Sequence, residues 1–184
     1  MRPATPGSHR GTSGQSVMKV LAISGYSGSG KTTLIEKVVP LLVKAGLRVS
    51  LIKHAHHHFE VDQPGKDSWR HRQAGCAEVL VSSSQRWALM RELRGEPEPR
   101  LEELLARFSP CDLVIVEGWK HDPVPRIEVH RAGAGRPLLF PHDPHVLAVA
   151  TDEPLETALP QYGLDDAAGV ARFILDFVKT APSP

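Results

Sequence analysis

Asparagine is missing from all 184 residues. That excludes the Asn-Lys-x-Asp element by which many GTPases read guanine, so any base contact has to come from another side chain. Cysteine is scarce: Cys76 and Cys111 lie far apart and form no Cys-x-x-Cys pair. This excludes a disulfide framework and a cysteine-built zinc site, and it fits a reducing compartment, with buried, unreactive thiols expected. Net charge is only +1, which leaves no long-range field to mark nucleic acid or an acidic membrane as partner. No apolar run approaches the roughly 18 residues that span a bilayer. Residues 1–17 lack both acidic residues and an apolar block. Their Pro, Gly, Ser, Thr and Arg cannot bury enough surface to order themselves, so a disordered tail is expected, and without an apolar h-region it is no secretory signal.

What remains, residues 18–180, has 41% hydrophobic content across the whole chain to draw on and reads as a single domain. Its most informative stretch is Gly25-Tyr26-Ser27-Gly28-Ser29-Gly30-Lys31-Thr32-Thr33, with the Gly-x4-Gly-Lys-Thr spacing of a phosphate-binding loop. The apolar run Val20-Leu21-Ala22-Ile23 precedes it and a helix-period segment follows, which is the strand-loop-helix context the motif needs. Glycines let successive amides turn inward around phosphate oxygens, and the helix N-terminus adds its positive end. Lys31 is placed to reach the β and γ phosphates, and the Thr32 hydroxyl to ligate Mg²⁺.

After the loop, Leu34, Ile35, Val38, Leu41, Leu42 and Ala45 recur at helical spacing, with Pro40 inside the pattern and Gly46 as the stop. Residues 48–53 read as a second strand, completing a right-handed β-α-β unit with parallel strands. Ligands in such sheets sit at the carboxyl ends of strands, so the residues after Lys53 fall beside the loop. Among them are His54, His56, His57 and His58, and the carboxylates Asp62 and Asp67. Imidazoles suit Zn, Ni or Cu, but strand neighbours point to opposite faces and converge on one ion only through a loop. Asp62 and Asp67 are candidates to hold Mg²⁺ directly or through water, against the plain readings of a solvated residue and a helix-start carboxylate.

Further on, residues 77–81 and 85–90 look like two strands, either a hairpin or an added antiparallel edge. Leu101, Leu104, Leu105 and Phe108 form a helical stripe closed by Pro110. Leu113-Val114-Ile115-Val116 is a central parallel strand with Glu117 where it emerges. This is a Walker B arrangement with Glu for Asp, and Glu117 can organise Mg²⁺ or orient a water at the γ-phosphate. Residues 126–131 alternate as in a half-buried strand. Residues 145–151 are another strand, and Asp152 follows it at the place where a base would lie. A carboxylate there can accept from both guanine N1–H and N2–H. Val170, Phe173, Ile174, Phe177 and Val178 make a closing helix, with Asp165 and Asp166 at its start.

Together these motifs resemble one family. They are the loop at residues 25–33, Ile52-Lys53-His54-x-His56-His57, Asp62-x-Pro64-Gly65-Lys66-Asp67-Ser68, Leu113-Val114-Ile115-Val116-Glu117-Gly118-x-Lys120 and Ala150-Thr151-Asp152. The family is the molybdopterin-guanine dinucleotide biosynthesis adapters, MobB. The resemblance implies an α/β P-loop NTPase fold: a three-layer α/β/α sandwich with a mainly parallel sheet and some added antiparallel strands. It further implies a cytoplasmic homodimer that binds GTP and Mg²⁺ and hydrolyses GTP slowly at most. Such a protein assists the molybdopterin guanylyltransferase, without being that enzyme, and meets other molybdenum cofactor proteins. The site it points to has Lys31 and Glu117 in the chemistry. Gly25, Ser27, Gly28, Ser29, Gly30, Lys31, Thr32, Thr33 and Asp152 hold nucleotide, and Thr32, Glu117, Asp62 and Asp67 are near the metal. Tyr26 stands where related partitioning ATPases place a signature Lys. Two other functions draw on the same residues. In a small-molecule kinase, Arg131 and Arg136 would form a phosphate-clamping lid, although that loop is short. A metal-delivery GTPase would use the histidine cluster for nickel or zinc.

Overall fold

A computed structural model of the chain describes residues 18–55, 59–119 and 122–180. The expected tail, residues 1–17, lies outside them, as do His56, His57 and His58. In chain order the elements are β1 (Lys19–Ser24), α1 (Lys31–Lys44), β2 (Val49–Lys53), α2 (Asp67–Gln73), β3 (Glu78–Ser82), β4 (Trp87–Arg91), α3 (Leu101–Leu105), β5 (Leu113–Glu117), β6 (Arg126–His130), β7 (Val146–Thr151), β8 (Gln161–Gly163) and α4 (Ala167–Thr180). They fall into two compact units, one from the chain up to His54 and from Phe108 onward, the other Ala55–Arg107.

The first unit is built on a sheet in the order β2-β5-β1-β6-β7-β8, with every neighbouring pair parallel. Parallel strands put all their carboxyl ends on one edge, and register aligns Glu117 with both Ile23 and Lys53. On one face α1 and α4 lie side by side. Leu34, Val38 and Leu42 from α1 and Val170 and Ile174 from α4 close over Leu21, Ile23, Ile115, Ile127 and Ala148. Each such fully buried aliphatic side chain is worth about 1.5–3 kcal/mol. α1 runs on through Pro40, which forfeits one amide donor. Ahead of α4, Asp166 accepts from the Gly169 amide at 2.8 Å, satisfying a first-turn donor. Among the described residues no helix is long and apolar enough to cross a membrane.

Three readings from the sequence need correction. β6 is buried at all five positions rather than half-buried, because it lies between β1 and β7. Two of its polar side chains find partners inside: Glu128 accepts from the Leu139 and Phe140 amides at 2.8 and 2.9 Å. Arg126 pairs with Asp143 at 3.2 Å and donates to the carbonyls of Val124 and Asp122. Cys111 is buried as expected but Cys76 is exposed. α3 stops at Leu105, short of Phe108. The short strand β8 is an addition the pattern did not announce.

In the second unit β3 and β4 form an antiparallel pair with Leu80 opposite Leu89. Its turn is closed by Ser83, whose hydroxyl accepts from the Gln85 and Arg86 amides. The ribbon leaves Leu80, Val81, Trp87 and Leu89 exposed. Arg72 at the end of α2 gathers Asp62, Glu60 and Glu92 around its guanidinium.

Candidate functional site

The phosphate loop begins where β1 runs out. Gly25 takes a φ of 151°, and a side chain there would strike the Val129 carbonyl of β6. Only glycine lets the loop turn this close to the sheet. Gly30, at φ 101°, is the last residue before α1, whose N-terminus carries no side-chain cap. The first amides of that helix therefore have no intrahelical acceptor and point into the loop. The Ser29 hydroxyl is buried and, among the described residues, has no hydrogen-bond partner. A buried orphan hydroxyl beside uncapped amides fits an anion between them. Lys31 lies back along the loop, its Nζ donating to the carbonyls of Gly25 at 3.0 Å and Tyr26 at 2.8 Å.

Glu117, at the end of β5, comes to the same place. It is 6% exposed, yet its carboxylate is shared between two groups. Oε1 accepts from the Thr32 hydroxyl at 2.6 Å, and Oε2 lies 3.9 Å from Lys53 Nζ. The Thr32 and Glu117 oxygens are hard donors side by side, a set that suits Mg²⁺. The chain leaving β5 is pinned in turn. Gly118 donates to the Ile23 carbonyl at 3.2 Å, Ser24 donates to the Trp119 carbonyl at 3.1 Å, and the Trp119 ring tilts against His54.

On the other side of the loop an open cleft of about 390 Å³ runs from Gly30 and Thr33 past Arg131 to Asp152, Asp165 and Asp166. Asp152 Oδ1 accepts from the Ala132 amide at 2.9 Å, and Oδ2 lies 3.6 Å from Arg131 Nη1. Asp165 is bound by Lys37 of α1 at 2.7 Å. That hydrogen bond and charge, helped by Arg131, hold its carboxyl below the ordinary range. The guanidinium of Arg136 rests 5.7 Å from the centre of the Tyr26 ring, so both arginines flanking residues 132–135 lean on the phosphate loop.

Of the residues expected from sequence, residues 25–33, Glu117 and Asp152 gather at this edge of the first unit. Asp62 and Asp67 belong to the second unit. Both Asp62 oxygens take Arg72, at 2.7 and 3.3 Å, and that hydrogen bonding keeps its carboxyl low. Asp67 is exposed beside Arg70. The histidine-cluster reading rests on His56, His57 and His58, outside the described residues. Lys53, quoted only within a motif, and Lys37 received no role from the sequence. Lys53 is legible in hindsight as a charge at the carboxyl end of a strand, whereas Lys37 is one of many helix lysines and carries no local signal.

A parallel sheet with a glycine loop between its first strand and first helix, and a carboxylate at the end of the strand beside it, defines a P-loop nucleotide-binding protein. Residues 20–152 match the family model MobB, "Molybdopterin guanine dinucleotide synthesis protein B". The molybdopterin-guanine dinucleotide biosynthesis adapter protein of Escherichia coli (strain K12) is 44% identical over 169 residues, covering 90% of this chain and 97% of that one. The adapter protein of the same name from Haemophilus influenzae is 46% identical over 159 residues, 84% and 86% of the two chains. A crystal structure of molybdopterin-guanine biosynthesis protein B superposes with a TM-score of 0.69 at 32% identity, covering 86% of this chain and 99% of that one. The chain belongs to the MobB family.

Proposed function

We propose that this protein is a GTP-binding adapter in molybdopterin guanine dinucleotide biosynthesis, working beside the guanylyltransferase of that step. Family membership supports the adapter role. The observation that carries the nucleotide reading is the buried Ser29 hydroxyl, unpartnered among the described residues, in a loop of uncapped amides, with Thr32 and Glu117 adjoining it and an open cleft leading to Asp152. Bound Mg²⁺ neutralises charge on the β and γ phosphates, and Thr32 and Glu117 are the residues to hold it. Lys31 exchanges the carbonyls of Gly25 and Tyr26 for phosphate oxygens. Asp152 accepts from the N1–H and N2–H of guanine, which adenine does not offer in that arrangement.

Hydrolysis is slow in this reading. Glu117 is the carboxylate beside the phosphate loop that would orient an attacking water, and it already serves Thr32 and Lys53. A base so engaged is poorly free to orient a water. Two features support a homodimer in the cytoplasm: the apolar ribbon carrying Leu80, Val81, Trp87 and Leu89, and the scarcity of cysteine. Exposed apolar patches of this kind mark association surfaces.

The test is retention of purified molybdopterin guanylyltransferase on the immobilised protein loaded with GTP or with GDP, alongside GTP and ATP titrations of the free protein. Retention that depends on GTP, together with tighter binding of GTP than ATP, is the expected outcome. No retention in either state overturns the adapter role, and equal affinity for the two triphosphates overturns the guanine reading.

A further inference from the structure

The cleft beside the phosphate loop poses an electrostatic problem. Its wall carries Asp152, Asp165 and Asp166; Asp165 is already paired with Lys37 of α1, and Arg131 is the one cation among the residues lining the cleft itself. A polyphosphate entering at Gly30 and Thr33 brings further negative charge into a space already rich in carboxylates, which is unfavourable without a compensating cation. Arg131 sits where it can supply one. Its Nη2 lies 3.7 Å from where a methyl on Gly30 would be, directly over the start of α1. Its Nη1 faces Asp152 Oδ2 at 3.6 Å, longer than a good hydrogen bond. The side chain is half-exposed, so its pairing with Asp152 is cheap to break. Asp152 keeps its own position without Arg131, because Oδ1 holds the Ala132 amide at 2.9 Å.

We propose that Arg131 is a specificity-determining residue that links base identity to phosphate binding: guanine displaces it from Asp152, and the released guanidinium moves onto the phosphates beside Gly30. The inference rests on the GTP reading above. Guanine brings adjacent N–H donors to Asp152 and takes over the carboxylate that Arg131 occupies. Adenine presents a ring-nitrogen acceptor at the same place, cannot replace the guanidinium, and leaves it paired with Asp152. The cation therefore reaches phosphate only when the base is right, and discrimination exceeds what the base contact alone provides. The same arrangement makes Arg131 a competitor for any guanine compound that lacks phosphate.

Opposite signs follow for two ligands. In the full-length protein, Arg131→Ala weakens GTP binding by roughly ten- to a hundredfold, the size of a lost charge-assisted hydrogen bond. It leaves ATP binding nearly unchanged and strengthens guanosine binding, because Asp152 is no longer occupied. Arg131→Lys restores most of the GTP affinity. The measurement is displacement of a fluorescent GTP analogue by GTP, ATP and guanosine, followed for the wild type, both Arg131 variants and Lys31→Ala, with thermal melts to establish that each variant is folded. A parallel loss of GTP, ATP and guanosine binding in Arg131→Ala marks a merely structural role and overturns the inference, as does unchanged GTP affinity. Guanosine binding that fails to strengthen removes the competition with Asp152 and overturns it too. Failure of the underlying reading appears separately, as a wild type that binds no GTP or a Lys31→Ala protein that binds it equally well.

Discussion

The Thr32 hydroxyl donates to Glu117 Oε1 across 2.6 Å, joining the first turn of α1 to the end of β5 through residues 85 positions apart in the chain. The two motifs that the sequence offers separately are thus one oxygen-rich corner. Glu117→Gln keeps the size and one acceptor but removes the charge. The expected result is an intact fold with GTP affinity that no longer rises on adding Mg²⁺, a change of roughly tenfold or more, read by calorimetric titration at increasing Mg²⁺. Persistent Mg²⁺ dependence would place the metal elsewhere.

Lys31→Ala removes the cation of the loop without touching its backbone. GTP binding should be abolished while the thermal melt stays close to wild type, since the bonds of the lysine to the Gly25 and Tyr26 carbonyls stay within its own loop. Unchanged GTP affinity would remove the premise of a phosphate site at residues 25–33.

Asp152→Ala tests the base contact. A guanine left with unpaired donors costs about 1–3 kcal/mol, so the preference for GTP over ATP should shrink by at least that amount in paired titrations. Equal discrimination before and after the substitution sends the base contact to another residue.

Acid stability should report on Asp143. Burial pushes its carboxyl up, but the His145 amide and ring and the Arg126 guanidinium outweigh this and leave it below its ordinary value of 3.8. A carboxyl lowered in the folded state stabilises the fold fully above 3.8 and loses that contribution as pH falls through the lower folded value. Urea unfolding followed from neutral pH downward should therefore show wild-type stability falling below that point, and Asp143→Asn should flatten this part of the decline. An identical slope in the variant would mean that other carboxylates carry it.

The phosphate loop and the strand ending at Glu117 were legible because each is local. Glycine spacing, Lys31-Thr32 and four apolar residues before a carboxylate state their roles within nine residues or fewer of chain. β6 was misjudged because Arg126, Glu128 and His130 alternate with apolar residues like a strand with one wet face. Glu128 is satisfied by the Leu139 and Phe140 amides, and Arg126 by Asp143 and the Val124 and Asp122 carbonyls, all outside residues 126–131, whose pattern does not announce them. β8 is only three residues long, below the length at which alternation can be recognised. The cleft stayed unseen as a whole, since Thr33, Arg131, Asp152 and Asp165 come from four separate segments that only the topology brings to one edge. Asp165 looked like a helix-start residue, and Asp166 is the one that makes that contact.

Glu128 holds the Leu139 and Phe140 amides, so the segment carrying Arg131 and Arg136 leaves β6 at one end and is tied back to that same strand at the other. Both arginines thus ride on a short span closed at both ends on β6. Inserting or deleting residues within 133–135 would leave β6 and its neighbours undisturbed while changing how far the Arg136 guanidinium reaches. That span is accordingly where the Arg136 guanidinium can be re-aimed at the phosphate loop without rebuilding the fold.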